Sequence, residues 1–231
     1  MANNEVDANA QSARFVEMVV RTLRHEVGDL LQSVYSAVAI LQERLPSSLT
    51  TERTVLAELR NRAEMCKNEL DATHDLVCPV SLNASWLDLS ELATGITTAY
   101  GPRYPGLQLA CDAPRPVKIW GDGQRIKQVG LVLITSLSQA ARSKILQRVG
   151  PATNGHDAEW SFQHDGQAPD AEQLSWISTP FHTTRHARFG LGLALARRVV
   201  ELHGGRVTTE ALQQGFKITL FLPLHPPQGR D

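Results

Sequence analysis

Cysteine is scarce in this sequence: Cys66, Cys78 and Cys111 are the only three in 231 residues. No two of them form a CxxC pair or a metal-ligand spacing. A zinc site or disulfide framework is therefore not indicated, and the three read as small semi-buried residues of a reducing compartment. Charge of one sign is equally lacking, with 23 Lys and Arg against 24 Asp and Glu scattered over the whole length. Nucleic acid would call for a clustered basic excess, so no nucleic-acid partner is expected. Long apolar runs are missing too: no window approaches the roughly 20 residues that span a bilayer. The N-terminal MANNEVDANAQ has neither a basic start nor an apolar stretch. The expectation is a soluble, cytoplasmic protein with no membrane partner. There is no internal repeat and no low-complexity segment.

What is present begins with helical periodicity. Residues 12 to 45 hold no Pro and one Gly, and the apolar series Val19, Leu23, Val27, Leu30, Val34, Ala37, Leu41 is spaced by threes and fours. That spacing predicts a helix with a coiled-coil-like seam. Pro46 and the mostly polar run Ser47–Thr51 break it, and a second series follows: Leu59, Ala63, Cys66, Leu70, Thr73, Val77. Two antiparallel helices joined by a short loop are expected. A lone hairpin cannot cover both its apolar stripes, so a homodimer forming a four-helix bundle is implied over residues 12–80.

From Pro79 the periodicity changes, and a second domain is expected over 81–225. Asp88 and Glu91 have capping-box spacing at the head of a helix ending near Tyr100. Strands are predicted at Leu107–Cys111 and Pro116–Trp120, followed by a helix from Asp122 to about Arg142. Ile145–Val149 and Glu159–Gln163 read as a hairpin across Asn154-Gly155. A helix from Leu191 to His203 stops at Gly204-Gly205, and strands Arg206–Glu210 and Phe216–Leu222 close the domain. The tail from Pro226 reads as frayed. The fold class is α+β, a helical hairpin followed by an α/β sandwich.

Several motifs occur in a telling order. Arg24-His25-Glu26 with Leu30-Leu31 lies on the first helix, and Asp122, Arg125 and Gln128 open a later one. Pro180-Phe181-His182-Thr183-Thr184-Arg185 precedes Gly190-Leu191-Gly192-Leu193-Ala194, which runs into Glu201-Leu202-His203-Gly204-Gly205. These stretches resemble the H-box, N-box, F-box and G2 box of two-component histidine kinases, over nearly the whole chain. The resemblance implies a dimerisation and phosphotransfer domain followed by a catalytic, ATP-binding domain of the histidine-kinase type.

His25 has a case of its own. At about 100° per residue it lies roughly 155° from the mean direction of the seam, facing solvent. A neutral imidazole is nucleophilic at cellular pH. Glu26 or Asp29 is placed to hold the ring or accept its proton. His74, followed by Asp75, is the competing phosphoacceptor, but it falls nearer the second seam and matches no motif.

The nucleotide elements depart from the family. The two N-box Asn positions that the resemblance assigns to Mg²⁺ carry Val132 and Ser136, or Thr135 and Gln139 in a register shifted by one turn. Valine offers Mg²⁺ no oxygen. The adenine-reading Asp position of the G1 box carries His164, with Asp165-Gly166 beside it and Ala168 in place of the second Gly. Gly190 and Gly192 remain, so backbone amides there can approach a phosphate or simply permit a tight turn. The preceding Gly is Arg188, followed by Phe189, and the lid between Arg185 and Gly190 is short.

The candidate site residues are thus His25, Glu26 and Asp29 for chemistry and Asp165, Gly166, Gly190 and Gly192 for nucleotide contact, with no metal ligand set. No cofactor is certain; Mg-ATP binding is expected to be weak or absent. The resemblance implies that His25 exchanges a phosphoryl group with a response-regulator receiver domain. About ten residues precede the first expected helix, so on this reading input comes from another chain, such as an upstream sensor kinase. An ATP-dependent autokinase and a non-catalytic pseudokinase adaptor remain open.

Overall fold

The computed structural model describes residues 2–104, 106–170 and 189–226. The chain divides into two compact units, Met1–Val80 and Ser81–Asp231.

The first unit is the hairpin, α1 (Ala2–Arg44) and α2 (Thr50–Val77). α1 starts at Ala2, so the expectation of about ten residues ahead of it is corrected. Arg53 closes the turn between the helices, its guanidinium donating to the carbonyls of Gln42 and Leu45. Gln42 lies in the last turn of α1 and Leu45 just past its end, where carbonyls have no partner within the helix.

The predicted seams are only in part the contact made within one copy. Leu31, Val38 and Ala63 are buried, whereas Val19, Leu23, Leu41 and Leu59 are exposed and Leu30 is 64% exposed. The apolar band of α1 is wider than one seam. Leu30 lies about 100° round the helix from Leu31, so the two serve different faces.

The second unit holds β1 (Ser85–Asp88), α3 (Leu89–Tyr100), a short 3-10 turn (Gly101–Arg103), β2 (Gln108–Asp112), β3 (Lys118–Gly121) and α4 (Gly123–Ser138). It continues with β4 (Lys144–Pro151), β5 (Asp157–His164), α5 (Phe189–Leu202), β6 (Arg206–Ala211) and β7 (Phe216–Pro223). Five strands form one sheet in the order β2-β4-β5-β7-β6, with β2 parallel to β4 and the other pairs antiparallel. The helices cover the face that carries Ile145, Val149, Ala158, Trp160, Phe162, Ile218 and Leu220, all buried. Alternation at period two along β4, β5 and β7 produces this layer. Gln147, also buried, ties it together: Trp160 Nε1 donates to Gln147 Oε1 at 3.1 Å, and Gln147 Nε2 donates to Thr97 of α3 at 2.8 Å.

Local signals explain the element ends. Asp88 caps α3, its carboxylate accepting from the amides of Ser90 and Glu91. Gly155 takes φ +71° in the β4–β5 turn, the conformation Asn-Gly favours. Two expectations are corrected. The strand β1, which pairs antiparallel with β3, was not anticipated from its four residues. And α4 ends at Ser138 rather than near Arg142, because the amides of Arg142, Ser143 and Lys144 turn to the Asp165 carboxylate.

Candidate functional site

His25 stands on the outer surface of α1, its side chain 75% exposed. Its Nδ1 lies 3.2 Å from Asp29 Oδ2, one helical turn along. The contact places the Asp29 carboxylate on the Nδ1 side of the ring. Of the two carboxylates expected near the ring, Asp29 is the one on it. Glu26 is exposed and about 100° round the helix. His74 is placed differently: its side chain is 14% exposed, and its Nδ1 meets the buried Asp75 carboxylate at 3.2 Å. The first imidazole is open to solvent and the second is largely covered.

One residue before His25, Arg24 Nε donates to Asp71 Oδ1 of α2 at 2.8 Å. This bridge joins the turn of α1 that carries His25 to the second helix. No periodicity signal marks it, because the pair depends on how the two helices are rotated against each other.

The positions that the family resemblance would assign to nucleotide lie at the junction of α4, β5 and α5. Val132 and Ser136 are buried. Ser136 Oγ donates to the Val132 carbonyl at 2.8 Å. Gly192 packs on both, since a Cβ there would fall 2.5 Å from Ser136 Oγ and 3.2 Å from Val132 Cγ1. In the structure Gly192 lets α5 approach α4 closely, a packing contact beyond the phosphate approach or tight turn expected of it. Gly190 sits in the first turn of α5.

At the end of β5, His164 is buried and accepts the Gly166 amide at Nδ1, 3.0 Å away. Burial pushes its pKa below the ordinary histidine value, and the charge of Asp165 offsets part of that shift. The Asp165 carboxylate takes four hydrogen bonds, from the Arg142, Ser143 and Lys144 amides and from Ser143 Oγ. Burial alone would raise its pKa, but the Ser143, Lys144 and Arg142 hydrogen bonds outweigh it and hold the carboxyl far below the usual range.

Tested against Mg-ATP, this donor set does not fit. Mg²⁺ takes oxygen ligands in near-octahedral geometry. Val132 supplies none, the Ser136 hydroxyl proton is directed into its own helix, and the Asp165 carboxylate already serves a loop. Among the described residues, no group of three or more His, Cys, Asp or Glu is arranged to hold a metal ion. The F-box stretch Pro180–Arg185, the short lid and Arg188 lie outside the described residues, as does the tail beyond Pro226.

His203 clamps this domain in a way its motif does not reveal. Its Nε2 accepts the Asp122 amide at 2.9 Å, and its Nδ1 donates to the Val199 carbonyl at 2.7 Å. The end of α5 is thereby tied to the start of α4, where Asp122 also accepts the amides of Arg125 and Asn83.

Residues 121–226 match the family described as histidine kinase-, DNA gyrase B-, and HSP90-like ATPase. The chain is 29% identical over 216 residues to the sensor histidine kinase ZraS of Escherichia coli O157:H7, covering 89% of this chain and 46% of that protein. Sporulation kinase B of Bacillus subtilis is 23% identical over 228 residues, covering 95% of this chain and 52% of that protein. The chain thus spans about half the length of these curated relatives. Among solved structures, full-length ShkA in complex with AMPPNP shares the fold with a TM-score of 0.65 at 21% identity, over 91% of this chain and 46% of that one. The catalytic domain of histidine kinase ThkA does so with a TM-score of 0.56 at 23% identity, over 62% of this chain and 99% of that one. Among the described residues, no helix is long and apolar enough to cross a membrane. With a helical hairpin bearing Arg24-His25-Glu26 ahead of an α/β sandwich whose residues 121–226 match the ATPase family, the chain is similar over most of its length to two-component sensor histidine kinases.

Proposed function

We propose that this chain is a cytoplasmic phosphotransferase that carries a phosphoryl group on His25 and exchanges it with the receiver domain of a response regulator, without using ATP. The observation that carries the reading is the exposed His25 imidazole with Nδ1 on Asp29 at 3.2 Å. Nε2 attacks the phosphorus of an aspartyl phosphate on the receiver; the N–P bond forms as the O–P bond breaks. The receiver's carboxylate leaves with the bonding pair. Asp29 stabilises the positive charge that develops on the ring, so no proton need leave during the step. The reverse transfer follows the same path.

The hairpin supports a homodimer. Leu23, Leu30, Leu41, Val55 and Leu59 are exposed in one copy, and a second copy is the natural cover for such a stripe. An upstream sensor kinase would load the first receiver. The match of residues 121–226 to the ATPase family favours a second reading, an ATP-dependent autokinase. The pseudokinase adaptor predicts no labelling under any condition. Incubation with a radiolabelled phosphoreceiver, and separately with labelled Mg-ATP, distinguishes them. Label on His25 from the receiver alone is the expected result; label from Mg-ATP establishes the autokinase.

A further inference from the structure

We propose that the approach of α4 to α5, and of the residues following α4 to those following β5, is filled by the chain's own atoms, and that Gly166 and Gly192 are packing residues there. The folded domain then neither needs nor binds Mg-ATP. This goes beyond the phosphotransfer reading and stands whether or not His25 carries a phosphoryl group.

Three contacts make the junction. The first joins α4 and α5: Val132 and Ser136 are 5% and 6% exposed, and a Cβ on Gly192 would lie 2.5 Å from Ser136 Oγ and 3.3 Å from the Val132 carbonyl oxygen. Separations this small leave no room for a metal ion and its shell of oxygen ligands at about 2.1 Å. The second joins the residues following β5 to those following α4. A Cβ on Gly166 would lie 1.7 Å from the Ala140 carbonyl oxygen, so backbone rests on backbone, and the Gly166 amide is turned inward to His164. The third is the Asp165 carboxylate, which fixes the loop from Arg142 to Lys144 by hydrogen bonds. Val132, Ser136 and His164 are thus built into internal contacts, whereas Ala168 lines a cavity of about 470 Å³ beside Asp165 and Gly166. The substitutions form one consistent set: an apolar Val132, an inward-bonded Ser136, and a buried His164 whose ring nitrogen accepts the next loop amide.

The test uses the full chain, with thermal unfolding followed with and without about 10 mM Mg-ATP. A midpoint unchanged to within about 1 °C is expected. An upward shift of about 3 °C or more, the response to a ligand held tighter than ~1 mM, overturns the proposal. Gly192→Ala should lower the midpoint by several degrees, equally with and without nucleotide. A Gly192→Ala protein that melts like the wild type overturns the proposal, since a glycine kept for ligand approach would tolerate the methyl group. Val132→Asn separates the cases again if Gly192→Ala does not fold. At a closed junction the buried amide lowers the midpoint and confers no nucleotide response. At an open site it supplies a missing oxygen, and an Mg-ATP-dependent shift appearing in Val132→Asn would overturn the proposal.

Discussion

The hairpin and the α/β unit treat their functional groups in opposite ways. On α1 the imidazole of His25 and a stripe of large apolar side chains face water. In the second unit Trp160, Phe162 and Phe216 are fully buried, and His164, Asp165 and Ser136 spend their hydrogen-bonding capacity on the chain itself. Among the described residues, the first region leaves these groups open to solvent, and the second turns them onto its own chain. Likeness to the histidine kinases alone would place chemistry in both; the function proposed here places it on the hairpin.

The largest effect that sharpens this contrast is expected from His25→Ala. Transfer from a phosphorylated receiver should fall to background, while stability changes by less than about 0.5 kcal/mol because the side chain is exposed. Autoradiography beside a denaturation curve checks both, and undiminished labelling of the variant would move the chemistry elsewhere.

Next comes the apolar stripe. Leu30→Glu together with Leu70→Glu should yield monomers or insoluble protein, since each places an unpartnered charge in the expected dimer interface. Sedimentation at micromolar concentration is the measurement. A wild-type chain that runs as a monomer would remove the hairpin's half of the contrast.

The closed unit is probed by pH. Asp165 has a folded pKa below its ordinary 3.8, so the unfolded state binds the proton more tightly. Its stabilisation is present above about pH 4 and lost as pH falls through the folded value. His164, lowered from 6.5, acts in the same direction: stability falls as pH drops below about 6.5 toward the folded value. Asp165→Asn should cost about 1–2 kcal/mol at pH 7 and remove the steeper loss below pH 4. Urea unfolding between pH 3 and 8 reads both, and an unchanged acid limb in the variant would deny Asp165 its place as the clasp.

The smallest expected effect is on rate. Asp29→Asn should slow transfer about 3- to 10-fold through weaker stabilisation of the ring's positive charge. Stopped-flow labelling measures it. A faster variant would mean that the carboxylate chiefly repels the incoming phosphoryl group.

Much of this was legible in the amino-acid order. The spacing of Val19 to Leu41 and of Leu59 to Val77 foretold two helices, Asn154-Gly155 the β4–β5 turn, and Gly204-Gly205 the end of α5. Those features are local: each depends on neighbours a few residues away, so periodicity and turn chemistry suffice. The sequence also determined that Val132 has no oxygen to offer a metal and that His25 lies off the seam. Tertiary structure decided the rest. That Leu31 rather than Leu30 meets the second helix and that Asp165 shortens α4 from 23 residues downstream of Arg142 both depend on distance in space. Gly192 shows the division most clearly. As a letter it permits a phosphate contact or a tight turn into the helix. Only the position of Ser136 Oγ, 2.5 Å from where a Cβ would stand, reveals how closely α4 and α5 approach there.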